Sequence, residues 1–472
     1  MRRRAGGESV GHGEHLVIAR PSETDRCDVL VIGAGPAGSV AALELARAGL
    51  DVRVVDRSDF PRFRIGESML PHTQRIMDEL GLMDRVRALP HMVKRGLEVE
   101  FGDGRREAAA ISFETMFGDG VKQTFNIRRS IFDRMLADTA VEAGARYDFG
   151  VTVKGFDGLD QGDVRVRTDR GEIRADWLID ASGQACVLGR HLGTRRYLGG
   201  FRNVSYFEHF EGVRRNTGDR DGFATLAMCR EGWFWMIPID ETTTSIGAVI
   251  DDGLARQIPV PANRRLAWCL ENCPAMAERM TDATGSETNQ VVGDFSYTCD
   301  RHAADGWFMV GDAAAFIDPV WSTGVSLGLD GGVHAARRIL EVARGERRAV
   351  DATAAHHARI ARLRRRFLGL IRNFYDHSFR ELIVAGQGPM QVHRAVVNML
   401  AGEVFGRIPF SVRWRWDLMT AFREINRFHP LNERIRPHSL LQSGGIGLPD
   451  PVAGVCRGVP RRRVGQPSWQ SA

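Results

Sequence analysis

Several things are scarce or missing in this chain, and each absence narrows the possibilities. Cysteine is sparse and odd in number, seven in 472 residues: Cys27, Cys186, Cys229, Cys269, Cys273, Cys299 and Cys456. None has the CxxC or metal-ligand spacing, so a disulfide scaffold and a zinc site are not expected, and reduced thiols in a cytoplasmic protein are. Cys269 and Cys273, four apart, are expected on one helix, with no histidine or second pair beside them. No apolar run reaches the length of about 18 residues that a membrane helix needs, so no transmembrane segment is expected. "MRRRAGG" opens the chain with arginines, but no apolar stretch follows, so no export signal is expected either. Basic residues exceed acidic ones by a formal +5, yet no basic stripe carries interleaved aromatics. Nucleic-acid binding is therefore not expected; the excess suits an anionic cofactor or an acidic protein partner. No internal repeat is present, and only one G-x-G-x-x-G occurs, so a second nucleotide domain for NAD(P)H is missing.

What is present begins with "CDVLVIGAGPAGSVAALELARAGLDVRVVDRS" (27–58). An apolar run of strand length leads into "GAGPAG", then a helix of good formers ending at Gly49, then a second strand. This is one βαβ unit. Gly33, Gly35 and Gly38 stand between strand and helix, with Pro36 and Ala37 inside the turn, and Asp56 closes the second strand. Such glycines permit a tight turn and let backbone amides approach a pyrophosphate, while the acid suits a ribose hydroxyl. Dinucleotide binding follows. A second Gly-Asp turn, "VGDAAAFIDP" (310–319), puts Gly311 and Asp312 far downstream, as FAD proteins of the glutathione-reductase type do; the alternative is that Asp312 only caps a helix. "IRRSIFD" (127–133) matches the Arg-x-x-Phe-Asp element of that class and places Arg129 near the cofactor.

The expected fold is α/β: an FAD-binding, Rossmann-like domain with an inserted antiparallel substrate sheet and a helical C-terminal cap. Residues 1–25 read as a disordered extension. Residues 26–345 form the discontinuous FAD domain, with the inserted sheet at about 90–125 and 196–295. Residues 346–440 are helical, and 441–472 are a flexible tail. "GWFWMIPID" (232–240) places Trp233 and Trp235 at strand spacing, so both indoles share one face, either of a core or of an aromatic pocket. "ATAAHHARIARLRRRFLGLIRNFYDHSF" (352–379) is expected as one long amphipathic helix whose arginines form a solvated face or a binding face.

Three stretches together, "FPRFRIGESMLP" (60–71), "HMVKRGLEVEFGDG" (91–104) and "GWFWMIPID", resemble the flavin-dependent halogenases, from about residue 26 to at least 380. That family has Trp-x-Trp-x-Ile-Pro where this chain has Trp233, Trp235, Ile237 and Pro238, and a lysine where this chain has Lys94. Its flavin-proximal halide loop corresponds to "FIDPVWSTGV" (316–325). The resemblance implies that Arg64, Glu67 and Ser68 serve the cofactor and that Thr323 and Gly324 hold halide. It implies reduced FAD from a separate reductase, a C4a-hydroperoxide, hypohalous acid, and Lys94 presenting the halogen. The tryptophans would keep substrate away from the flavin. Tryptophan halogenases of the class carry glutamate before the Ser-Thr-Gly of the loop; here that residue is Trp321, which resembles the branch acting on phenols and on pyrroles tethered to carrier proteins. "RNFYDHSF" (372–379) resembles a helical segment on the substrate side of that branch, which makes Tyr375 and His377 candidates for substrate contact. No metal is implied. The same scaffold also serves NAD(P)H-dependent aromatic monooxygenases or oxidases, isoprenoid-chain reductases, and flavin-binding proteins without turnover.

Overall fold

A computed structural model describes residues 25–442, except 106, 160–162, 287–288, 294–295, 387–388 and 432–433. Nearly all of the N-terminal extension, almost the whole tail, and Cys456 lie outside the described residues.

In chain order, the elements that position the site are β1 (Asp25–Ile32), α1 (Pro36–Arg47), β2 (Val52–Asp56), α2 (Pro71–Glu79), β3 (His91–Lys94), β4 (Gly96–Phe101), β5 (Ala109–Ser112), β6 (Thr124–Ile127), α3 (Arg129–Glu142), β7 (Arg146–Phe149) and β8 (Gly171–Asp180). They continue with β9 (Asn203–Glu211), β10 (Ala224–Met228), β11 (Gly232–Pro238), β12 (Thr244–Asp251), β13 (Trp307–Met309), α4 (Gly324–Ala343), α5 (Ala349–Tyr375), α6 (His377–Val384), α7 (His393–Asn398) and α8 (Phe410–Phe428).

The first sheet runs β13-β8-β1-β2-β7, with all four pairings parallel. Its central strands read as unbroken apolar runs because both faces are covered: Val29, Leu30, Val31, Val52, Val54 and Val55 are all fully buried. Helix α1 lies against α4 and α3 on one face. Close approach of α1 to α4 depends on Gly332, where a Cβ would sit 2.2 Å from the Ala37 carbonyl oxygen.

The second sheet runs β9-β12-β11-β10-β4-β5. It is antiparallel, as the sequence suggests, except where β10 meets β4 in parallel. That exception arises because the chain leaves β4, builds half of the first sheet, and only then returns. Trp235 lies flat over Gly247 on the neighbouring strand, where a Cβ would come within 2.2 Å of the indole. Strands β3 and β6 form a separate antiparallel ribbon.

Two local expectations fail for identifiable reasons. The long helix does not run to residue 379. It ends at Tyr375, Asp376 takes an extended conformation, and the Asp376 carboxylate accepts a bond from Ser378 N (2.9 Å) to start α6. An aspartate is a strong N-cap, and here it splits one helix into two. Likewise Cys269 and Cys273 do not share a helix: the first ends at Glu271, and Cys273 is the extended N-cap of a new one that Pro274 opens. Cys273 instead faces Cys229 (Sγ to Sγ 3.8 Å), and Cys186 faces Cys299 (3.5 Å). Among the described residues no helix is long and apolar enough to cross a membrane.

Candidate active site

At the carboxyl end of β1 the chain turns through Gly33, whose φ of +106° is left-handed and whose Cβ position lies 2.4 Å from the Ala181 carbonyl oxygen. Only glycine fits there. Gly35 is the N-cap of α1 and Pro36 occupies its first turn, and no side chain caps the helix. The first amides are thus left for a ligand. A Cβ at Gly35 would meet nothing nearer than the Arg62 guanidinium at 3.8 Å, so the space above the turn is open. Asp56 gathers Ala34 N (2.8 Å), Ser58 N (2.9 Å) and Arg62 (2.6 Å). Arg62 Nε is buried without a partner. An open turn, uncapped amides and an arginine with one N–H still unpartnered together fit the pyrophosphate of a dinucleotide.

Ala37 sits in the same packing layer as Gly311 and Gly328, which brings the two glycine motifs together. Burial pushes the Asp312 carboxyl up to about 6, against the pull of Arg129. Arg129 itself is clamped by Asp133 (2.7 and 3.0 Å) and by the Ile65 carbonyl (2.7 Å). It therefore ties the 60s stretch to α3. Within that stretch Arg64 is exposed and bonds the Phe63 carbonyl. Glu67 turns to the second sheet and meets His209 Nε2 at 2.5 Å.

Lys94 ends β3 and is 1% exposed. Residues 67–69 lie along β6, through Met69 N to the Phe125 carbonyl (3.1 Å) and a bridge between Ser68 and Asn126. This presents two acceptors to the amine: Nζ donates to Ser68 Oγ (2.8 Å) and to the Met69 carbonyl (3.2 Å). Among the described residues no carboxylate pairs with it, and burial pulls its pKa down to about 7. Nζ also stands 5.7 Å over the Phe113 ring.

Thr323 caps α4 without a side-chain bond of its own. The residue before it, Ser322, has φ +56°, which is unusual for a residue with a side chain. The uncapped start of this 20-residue helix presents amides and the positive end of the helix dipole. A cavity of about 30 Å³, room for a water or a small anion, opens on Thr323, Gly324, Asp312, Asp318 and Arg364.

The loop is held on all sides. Ser296 bonds the Ile317 carbonyl. Trp321 Nε1 donates to the Leu370 carbonyl (3.3 Å). Asp318 accepts from Tyr375 OH (2.8 Å), Val320 N (2.9 Å) and Asn203 Nδ2 (3.4 Å). Tyr375 OH in turn accepts from Trp233 Nε1 (3.0 Å) and Asn203 Nδ2 (3.0 Å). Burial raises Asp318 to about 6, partly offset by these donors. Trp233, Phe374 and Trp321 form an aromatic wall, with centroids 6.0 and 5.2 Å apart. Trp235, 5.9 Å from Trp233, bonds Ser245 Oγ (3.1 Å). Phe113 under Lys94 belongs to the same apolar cluster as all three tryptophans.

The fold thus gathers Gly33, Gly35, Pro36, Ala37, Gly38 and Asp56 with Gly311, Asp312 and Arg129. It gathers Tyr375, Trp233 and Trp321 around the loop of Thr323 and Gly324, and it turns Ser68 to Lys94. It leaves others apart. His377 bonds the Ile435 carbonyl (2.8 Å) on the C-terminal segment, and Pro238 closes β11 opposite Thr244. Asp318 and Asn203 carry no prediction from sequence. Asp318 had a signal, an Asp-Pro step ahead of the loop; Asn203, a lone asparagine 115 residues away from it, had none.

Residues 26–366 match the FAD binding domain family. The chain is 32% identical over 331 residues to a 1H-pyrrole-2-carbonyl-[peptidyl-carrier protein] brominase of Pseudoalteromonas luteoviolacea (strain 2ta16), covering 69% of this chain and 80% of the relative. Among solved structures it resembles the flavin-dependent brominase Bmp2 (TM-score 0.75, 28% identity, 84% of this chain and 99% of that one). It also resembles a flavoprotein/dehydrogenase from Cytophaga hutchinsonii (TM-score 0.77, 27% identity, 85% and 99%).

Proposed function

The chain belongs to the flavin-dependent halogenases, and from that premise we propose that it halogenates an electron-rich aromatic, a phenol or a pyrrole, free or borne on a carrier protein. The halide, and a separate reductase that supplies the reduced cofactor, are part of this proposal. Reduced FAD with dioxygen supplies the oxidising equivalent that converts halide to hypohalous acid. The crevice of Gly33, Gly35, Gly38 and Asp56 holds the dinucleotide, and Asp312 with Arg129 borders its flavin end.

The amides at Thr323 and Gly324 hold halide at the start of α4. The aromatic wall of Trp233, Trp235 and Trp321 keeps the organic substrate away from the flavin, so oxygen transfer to it is prevented. Lys94 carries the halogen. The observation that supports this is its burial, among the described residues, without a carboxylate and beside two acceptors. A neutral amine gives its two hydrogens to Ser68 Oγ and the Met69 carbonyl, and its lone pair is left over. That lone pair takes the halogen from hypohalous acid, the hydroxide so released takes one amine hydrogen and leaves as water, and the halogen then passes to a ring carbon whose proton returns to the amine. Trp321 replaces the carboxylate of the tryptophan-acting branch, so Ser68 takes over the orienting of Lys94.

The test uses purified protein with excess FAD reduced anaerobically by a separate reductase, then air, bromide and a panel of phenols and pyrroles. Brominated product that disappears in Lys94→Ala, with flavin reoxidation intact, is expected. Hydroxylated product without bromide, or rapid flavin reduction by NADPH alone, would replace this reading with a monooxygenase.

A further inference from the structure

The helical cap carries arginines of two kinds. Arg423, Arg427 and Arg434 are paired, to Glu424, Asp376 and Glu381. Arg362, Arg365, Arg372, Arg407 and Arg413 are exposed and form no ion pair among the described residues. The first three lie on one line of α5, at i, i+3 and i+10. Arg366, on the adjoining line, donates to the carbonyls of Val404 and Gly406 (2.7 Å each) and so seats the loop that carries Arg407 against α5. Phe410 begins α8 with 72% of its surface exposed, and the Arg413 guanidinium lies 5.9 Å over its ring. Arg413 stands over the exposed ring, Arg407 is three residues before it, and Arg362 and Arg365 are exposed on the stretch of α5 that seats this loop. Such a face attracts an acidic surface at long range and anchors it through the ring.

This face adjoins the segments whose backbone holds Lys94. Phe405 stacks on His72 at 3.8 Å, and α2, which carries His72, begins two residues after Met69, whose carbonyl holds the amine. One turn further along α2, the Arg75 guanidinium reaches both Gly402 and Gly120. Gly120 is on the rim of an open cavity of about 580 Å³, lined also by Gln74, Glu114 and Lys122. The strand that leaves this rim pairs its first residue, Thr124, with Lys94.

We propose that the surface of Arg362, Arg365, Arg407, Phe410 and Arg413 docks an acidic carrier domain, whose phosphopantetheine arm enters by this cavity with its phosphodiester beside Arg75 and Lys122. The proposal rests on the halogenase reading and goes beyond it by naming the partner's seat.

Binding of an acidic peptidyl-carrier protein, loaded with pyrrole-2-carbonyl on its arm, to the full chain would be followed by fluorescence anisotropy at two salt concentrations. Binding is expected, weaker at higher salt, and lowered by at least about ten-fold in the triple variant Arg365→Glu, Arg407→Glu, Arg413→Glu. FAD binding and Tm of that variant should be unchanged. Phe410→Ser, which adds no charge, should weaken binding without altering its salt dependence. No binding, equal binding by wild type and triple variant, or equal affinity for phosphatidylserine vesicles or a short oligonucleotide would overturn the proposal. Bromide-dependent halogenation of monochlorodimedone, measured in parallel, separates the two claims. Halogenation without carrier binding removes only the docking surface; arginine-dependent carrier binding without halogenation removes only the halogenase reading.

Discussion

The dinucleotide crevice and the lysine pocket differ in what they are made of. The crevice is mostly backbone: a left-handed glycine, an uncapped helix start and one carboxylate, all within residues 33–56. The lysine pocket is mostly side chain, assembled from residues 68, 69, 94 and 113 and walled by residues 233, 321 and 374. A site of the first kind can be stable and functional at once, since its amides need no burial of charge. The second contains a buried amine that opposes folding, and the role proposed for it depends on that opposition.

The contrast can be tested in order of expected effect. Lys94→Met should lower product formation by about 10³-fold while reoxidation of reduced FAD continues, and it should raise Tm. Burial holds Lys94 at about 7 against an ordinary value of 10.5. The unfolded chain binds that proton more tightly, so wild-type stability climbs as pH rises from about 7 towards 10.5. The gain from Lys94→Met should therefore be fullest below pH 7 and fade above it, which thermal melts across pH would show.

The crevice should behave in the opposite sense. Gly33→Val, forced against the Ala181 carbonyl, should lose FAD on desalting and roughly 3 kcal/mol of stability. Gly35→Val has room in the protein alone. It should leave the denaturant midpoint nearly unchanged yet weaken FAD binding by about ten-fold through intrusion on the pyrophosphate.

Ser68→Ala should slow halogenation by about ten-fold and shift the pH midpoint set by Lys94 downward, since an acceptor that favours the ammonium is gone. Ser68→Thr should restore both. Smaller still is the Tyr375 network. Tyr375→Phe leaves Asp318 short of a donor and should cost about 1–2 kcal/mol. The loss should shrink below pH 6, where the Asp318 carboxyl takes up its proton. His377→Ala, bonded away from the site, should change turnover by less than about two-fold.

The same contrast explains what could be read from sequence. The crevice was legible because every part of it is local: strand, glycine turn, helix and acid follow one another, and short-range spacing encodes them. Lys94 was legible only through motifs on either side of it. Its acceptors, 25 and 26 residues upstream, come into reach because residues 67–69 lie along β6, a pairing that no periodicity announces. Ser68 was accordingly assigned to the cofactor, whereas its hydroxyl faces the amine. Tyr375 and His377 were taken together because both lie in "RNFYDHSF", which resembles one helical segment on the substrate side of the family. The extended backbone at Asp376 parts them, and one joins the loop of Thr323 and Gly324 through Asp318 while the other meets Ile435. The aspartate that breaks the helix was visible, but an amphipathic pattern running through it concealed the stop.

Helix α5 has 27 residues, about 40 Å of rise. Along it, His356 bonds the Met309 carbonyl (2.9 Å), Arg359 meets Asp330 (2.8 Å), Arg366 seats the loop before α8, and Tyr375 reaches Asp318 (2.8 Å). At about 100° per residue, Tyr375 leaves the helix on the side opposite Arg366, so these contacts fix its rotation from more than one side. A single residue inserted between Arg366 and Phe374 would turn everything beyond it by about 100°, swinging Tyr375 off Asp318 while the contacts of His356 and Arg359 stayed in place. The exposed arginines of this helix can be replaced one by one to suit another partner. Its length cannot change at all without desynchronising the two ends of the enzyme.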